Sequence, residues 1–185
     1  MQRHKILQMA ALGVVLAGCQ SNEPAIPTAQ MSVQHASGAA PSADVLAQLA
    51  SLRRLTAPFQ RFEAAVRAGW GSRITECFSS VAGGMGFHYG NTALIDGSVD
   101  AQQPELLLYE PQANGELKLV AVEYIVPFTA WTAAEPPRLY DQSFHRNEAF
   151  GLWVLHVWHF RDNPTGIFAD WNPRVSCAYA DRVGA

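Results

Sequence analysis

The sequence has no apolar run long enough to cross a bilayer as a helix, no block of basic residues and few cysteines. Its longest apolar stretch, Ile6 to Leu16, is about half of the ~20 residues that a spanning helix needs. Only 16% of residues are charged, and the Lys and Arg are scattered without aromatic interleaving. Nucleic-acid binding, which depends on neutralising phosphates, is therefore disfavoured. Internal repeats are absent. So are the HxH, HExxH and EF-hand spacings of metal sites, and the G-x-S-x-G elbow that would present Ser79 or Ser80 as a nucleophile. Gly83-Gly84-Met85-Gly86 is followed by no helix and flanked by no β-α-β unit, which argues against a dinucleotide fingerprint.

What is present begins at the N-terminus. Arg3 and Lys5 precede the Ile6–Leu16 run, and Leu16-Ala17-Gly18-Cys19 closes it. Charge, apolar length and small residues together predict a signal peptide over 1–18. The closing tetrapeptide resembles the lipobox of bacterial lipoproteins, which implies cleavage before Cys19, acylation of that cysteine and durable membrane anchoring by several acyl chains. Gln20 after the cysteine resembles the sorting signal for the outer membrane, with the chain facing the periplasm. Loss of Arg3 and Lys5 takes the basic residues from 13 to 11 against 16 acidic, a net charge of −5. Residues 19–42, rich in Ser, Ala, Pro and Gln, read as a disordered tether. Cys77 and Cys177 are then an even pair in an oxidising compartment, and a disulfide between them is expected.

Residues 43–185 read as one α+β domain: an N-terminal amphipathic helix on a mainly antiparallel sheet. A β-barrel or cupin-like sandwich is the competing architecture. Val45, Leu49, Leu52, Leu55, Phe59, Phe62 and Val66 recur at helical spacing, with Ser42 as N-cap and Gly69 as stop. The stripe keeps its phase across Pro58, which predicts one kinked helix, with Arg53, Arg54, Arg61 and Arg67 on its solvated face. Strands are predicted at Met85–Tyr89, Glu105–Glu110, Leu117–Val126 and Leu152–Phe160, with a short one at Ile167–Ala169. Asn114-Gly115 suits a hairpin turn, and the proline-bearing stretch 127–151 reads as a long excursion. The tryptophans of the C-terminal half, Trp131, Trp153, Trp158 and Trp171, read chiefly as core, with some available to line an apolar pocket.

The candidate chemistry rests on His88, Glu123, His156 and His145. His88 lies among glycines that let a ligand approach the backbone closely. His156 and His159 project to opposite faces of an extended strand and cannot share a site without a bulge. Glu123 falls in phase with Leu117, Leu119, Ala121 and Ile125, and a carboxylate on an apolar strand face must be paired, protonated or bound to a cation. Glu110, at a strand end, is easier to solvate. Two or three imidazoles with one carboxylate form a set that binds a divalent metal such as Zn or Fe, with His145 reaching in from the 127–151 loop. The competing assignment satisfies each group separately: His88 on backbone, His156 in the core, His145 in solvent, and Glu123 on Arg138, Arg146 or Arg161. Asp162 and Asp170 read as caps and turn formers.

Cys77, Gly84-Met85-Gly86-Phe87-His88-Tyr89, Pro104–Pro111, Leu155-His156-Val157-Trp158, Asn163–Ala169 and Asn172–Cys177 together resemble a family of secreted bacterial proteins that carry no assigned function. The resemblance covers nearly all of 45–177 and implies a single fold with a Cys77–Cys177 bond. Members have a longer, histidine-richer segment before the strand of His156, whereas Glu148–Leu155 here holds no histidine. Three functions follow as expectations: an envelope lipoprotein holding a metal ion or small ligand between helix and sheet, a metal-dependent hydrolase or oxygenase, or a structural, partner-binding protein.

Overall fold

A computed structural model describes residues 41–184. The signal segment, Cys19 and nearly all of the tether lie outside the described residues. No helix among the described residues is long and apolar enough to cross a membrane.

Helix α1 spans Ala43–Thr56, and the Ser42 side chain accepts a hydrogen bond from the Val45 N–H. Asp44 in its first turn and Arg53 and Arg54 in its last complement the helix dipole. The helix then breaks rather than kinks. Ala57–Gln60, which contains Pro58, forms a 3-10 turn, and Arg61 is extended before α2 at Phe62–Arg67. Proline gives up one backbone donor and crowds the preceding turn, so the α-helix cannot continue through it. The break resets the apolar phase. After it Val66 turns outward and Ala65 takes the inner position, while within α1 itself Thr56 rather than Leu55 continues the buried line of Val45, Leu49 and Leu52; Leu55 and Val66 are each 44% exposed. Arg53, expected in solvent, instead donates to the His159 carbonyl and lies over the Phe160 ring. Gly69 ends the helical region with φ +110°.

Nine strands follow among the described residues: β1 Ser72–Arg73, β2 Phe78–Ser80, β3 Gly83–Gly90, β4 Leu106–Pro111, β5 Leu117–Pro127, β6 Arg138–Leu139, β7 Gln142–Ser143, β8 His145–Asn147 and β9 Leu152–Val157. Seven of them form one sheet in the order β1-β3-β4-β5-β9-β8, with β2 also on β3, and β6 and β7 pair as a separate hairpin. Every pairing is antiparallel. The sheet stays open, so the fold is α+β and not a barrel. Gly115, at φ +83°, makes the predicted β4–β5 turn, closed by the Gln112 N–H donating to the Glu116 carbonyl. The 127–151 excursion carries the short strands β6, β7 and β8.

Alternation divides the sheet into two buried faces. Phe87, Tyr89, Leu107, Tyr109, Val122, Tyr124, Leu155 and Val157 join Val45, Leu49 and Leu52 in the core beneath the helices. Leu106, Leu108, Ala121, Ile125 and Val154 point the other way, where Trp158 and Val175 cover them. A bulge in β5 sets the phase of that second face. Leu108 pairs with Ala121 but Tyr109 pairs with Leu119, so Val120 is the extra residue. Leu119 therefore faces the helices while Ala121 and Glu123 face away, contrary to a single phase from Leu117 to Ile125.

β9 ends at Val157, earlier than predicted. The chain turns there: the Trp158 N–H donates to the Ile167 carbonyl, and Phe160 returns to the helix-side core. Ile167–Ala169 forms a turn rather than a strand. The strap from 158 to 177 then crosses the second face, pairing Asn172 with Gly84 through two backbone hydrogen bonds. It ends on the Cys77–Cys177 disulfide, whose Cα atoms are 5.8 Å apart. Glu110 is buried, at 7% exposure, and accepts from the Ser176 N–H at 3.0 Å. The strap thus removes from water a carboxylate that the strand-end position left free.

The glycines of β3 admit the chain's own backbone rather than a ligand. A Cβ on Gly84 would stand 2.7 Å from the Val175 carbonyl oxygen, and one on Gly86 2.4 Å from that of Tyr109. Gly86 also has φ +90°. Gly86→Ala should therefore cost about 3 kcal/mol, the upper end of the penalty for a strained non-glycine backbone, with the steric clash added to it. Urea unfolding measures it; a loss below about 1 kcal/mol would mean that β3 and β4 separate without cost.

Candidate metal site

Three strands of the second face bring His88, Glu123 and His156 together. Residue alternation places His88 between Phe87 and Tyr89, Glu123 between Val122 and Tyr124, and His156 between Leu155 and Val157, so each points away from the helices. Glu123 and His156 are direct cross-strand partners, while His88 sits beside Leu108 on β3, with β4 between it and Glu123. One ligand atom from each residue lies within 4.8 Å of the others. His88 Nε2 is 3.4 Å from Glu123 Oε2, and His156 Nε2 is 3.6 Å from Glu123 Oε1. Exposures of 3%, 6% and 2% exclude bulk water from all three.

The outer nitrogens of both imidazoles are already engaged. His88 Nδ1 is 2.9 Å from Thr75 Oγ1, and His156 Nδ1 is 3.2 Å from Asp170 Oδ1. Both Nε2 atoms consequently face the carboxylate. His156 Nε2 is buried and has no hydrogen-bond partner, the single such side-chain atom among the described residues. A buried polar atom without a partner costs about 1–3 kcal/mol, which makes this an arrangement that an additional ligand would relieve. Phe78 packs on the His88 ring at 5.7 Å and Trp158 stacks beside His156 at 6.5 Å, giving the group an apolar surround.

The electrostatics favour neutral groups on two of the three. Burial, with His156 adding to it, holds the His88 pKa down at about 3, so its imidazole is neutral and able to ligate. Burial pushes the Glu123 carboxyl above its ordinary range. For His156 burial acts downward, but Glu123 and Asp170 outweigh it and the pKa moves up. A divalent cation would reverse the cost of ionising Glu123 by supplying the opposite charge at bonding distance.

His145, expected as a fourth ligand, stops short of the group. Its Nε2 meets Asp170 Oδ1 at 3.2 Å, and its side chain is 47% exposed. Asp170, read as a turn former, is instead the link between His145 and His156. Position in the sequence could not reveal this, because the strap that carries Asp170 is irregular. His159 lies on the opposite face, in the turn after β9, with Nε2 2.9 Å from Thr56 Oγ1. Burial lowers its pKa to about 4. The arginines proposed as partners of Glu123 are engaged elsewhere: Arg138 with Ser143, Arg146 with Glu148, and Arg161 with the Arg174 carbonyl.

Sequence reasoning also missed Glu105, whose Oε2 accepts from the Ile125 N–H at 3.0 Å. Burial raises its pKa to about 8. It immediately precedes β4, where no alternation marks it.

The His88, Glu123 and His156 group is not between helix and sheet. A groove on the helix side is lined by Phe62, Arg73, Tyr89, Leu117 and Val183, and none of the candidate ligands borders it. Trp70 and Trp158 are buried, whereas Trp131, Trp153 and Trp171 are half-buried, so the aromatics serve mainly as packing. Ser79 and Ser80 are exposed on β2. No family model, curated protein or solved structure matches this chain.

Proposed function

We propose that this chain is a lipid-anchored protein of the cell envelope that binds one divalent metal ion, such as Zn²⁺ or Fe²⁺, through His88, Glu123 and His156. The observation that carries the binding is His156 Nε2: buried, without a partner, and turned with His88 Nε2 toward one carboxylate. Imidazole nitrogen and carboxylate oxygen are ligands of borderline metals, and neutral imidazoles with tethered Nδ1 atoms are the form that coordinates. The anchoring rests on the lipobox at Leu16–Cys19, and the disulfide agrees with an oxidising compartment.

A metal-dependent hydrolase or oxygenase is the second reading, because three protein ligands leave a coordination position open. Exposures of 2–6% favour holding an ion over turning over a substrate.

Protein purified without a histidine tag should carry stoichiometric metal or take up one Zn²⁺ per chain. At a thousandfold excess over Kd the bound ion should add about 4 kcal/mol of stability. Elemental analysis and melting curves with zinc and with chelator test this. Absence of stoichiometric metal, with melting unmoved by either addition, would overturn the proposal.

A further inference from the structure

The metal-binding reading gives no role to the carboxylate of Asp170. Its Oδ1 lies 3.2 Å from His156 Nδ1 and 3.2 Å from His145 Nε2, so two imidazole nitrogens converge on one oxygen. Exposure falls along the row, from the half-exposed His145 through the 37%-exposed Asp170 side chain to His156 at 3%. The chain His145–Asp170–His156–Glu123 therefore runs from solvent to the buried group, through four different segments of the sequence.

We propose that Asp170 is a positioning residue for the metal site. It selects which nitrogen of His156 faces inward, and His145 holds it in place. A neutral imidazole carries one N–H, and the nitrogen that donates a hydrogen bond is unable to bind a metal. Asp170 offers the acceptor on the Nδ1 side, which leaves the Nε2 lone pair directed toward Glu123 and His88. No hydrogen bond on the other side of the ring competes with this choice, since His156 Nε2 has no hydrogen-bond partner to bias it. For His88 the same task falls to Thr75, at 2.9 Å from Nδ1. Asp170 adds a negative charge that Thr75 lacks, and a carboxylate behind a ligating imidazole increases the basicity of its free nitrogen. Backbone contacts on either side locate Asp170: the Ala169 carbonyl accepts from Trp158 Nε1, and Asn172 pairs with Gly84. His145 comes from the edge strand β8, where pairing with Val154 sets it on the same face as His156.

This inference rests on the metal-binding reading for its purpose but has an arm that does not need metal. The experiment uses the full chain as wild type, Asp170→Ala, Asp170→Asn and His145→Ala, with each variant's circular dichroism compared with wild type. Zn²⁺ alone is the probe, titrated against a chelator of known affinity. Asp170→Ala should weaken zinc binding 10–100-fold, the usual effect of removing an outer-shell partner. Asp170→Asn, which keeps a carbonyl acceptor, should recover most of the loss, and His145→Ala should lose less than Asp170→Ala.

The second arm reads the His156 ring nitrogens by NMR on metal-free protein, above the pH at which that ring titrates. Wild type should carry the proton on Nδ1, and Asp170→Ala should show a mixture of the two tautomers. A merely structural Asp170 would leave this signature unmoved. Unchanged tautomer in Asp170→Ala overturns the proposal whether or not zinc binds, and so does wild-type zinc affinity in that variant. Two zinc ions per chain would also overturn it, since Asp170 and His145 would then be ligands themselves. Failure of the wild type to bind zinc, with the tautomer shift intact, would defeat the metal-binding reading and leave the positioning role standing.

Discussion

A variant carrying His88→Leu, Glu123→Met and His156→Leu together is expected to bind no zinc and to be more stable than the metal-free wild type. The gain should be about 1–4 kcal/mol, the range found when buried polar or charged groups are replaced by apolar residues of similar volume. The three side chains are 3%, 6% and 2% exposed and are surrounded by Leu106, Leu108, Ala121, Ile125 and Trp158. In the wild type each has given up hydration, and one nitrogen has no hydrogen bond in return. Replacing all three removes that cost together, whereas a single replacement would strand the survivors. The outer partners tolerate the change because Asp170 and Thr75 are only partly buried and can turn to water. Urea unfolding of both proteins without metal, followed by zinc addition, makes the comparison. If the triple variant proves several kcal/mol less stable, the group is a structural network that the fold needs, and the functional argument for keeping it disappears.

Replacing Cys77 and Cys177 by alanine should lower stability by about 4 kcal/mol. The bond closes a loop of 100 residues, for which chain-entropy models give up to about 4.7 kcal/mol by restricting the unfolded chain. That loop contains all of β2 to β9 and the strap, so opening it frees nearly the whole sheet in the denatured state. In the native state the strap keeps other fastenings: Asn172 on Gly84, Ser176 on Glu110 and Trp158 on Ile167. The folded structure of the variant should therefore be retained while its melting temperature falls by roughly 10–15 °C. A fall of less than about 3 °C would show that the unfolded chain is already compact without the bond. Loss of the native far-ultraviolet spectrum would show instead that the strap depends on the disulfide to close over the second face.

Much of the frame was legible because it follows from local rules. Ser42 caps the first helix, Asn114-Gly115 turns the hairpin, and the strong strands appear where apolar alternation put them. His156 and His159 do fall on opposite faces as expected, although β9 ends at Val157 and it is the turn after the strand that carries His159 toward the helices. Misplaced elements share one cause. Pro58 leaves a continuous stripe on paper, yet a stripe records only phase, and the break resets it so that Ala65 replaces Val66. The β5 bulge at Val120 is equally silent in the sequence, because an unpaired residue is defined by its partner strand.

The candidate site divides in the same way. The sequence by itself determined which groups were anomalous: a carboxylate on an apolar strand, and histidines in runs with no polar neighbour to satisfy them. Burial costs depend on residue type, so such groups stand out without coordinates. Only the tertiary structure decided that three of them meet. The order β3-β4-β5-β9 sets their spacing, the helices take the other face, and an irregular strap delivers Asp170 while leaving His145 outside. These are contacts between segments far apart in the chain, fixed by sheet pairing and by the covering of one face, and no local pattern encodes them.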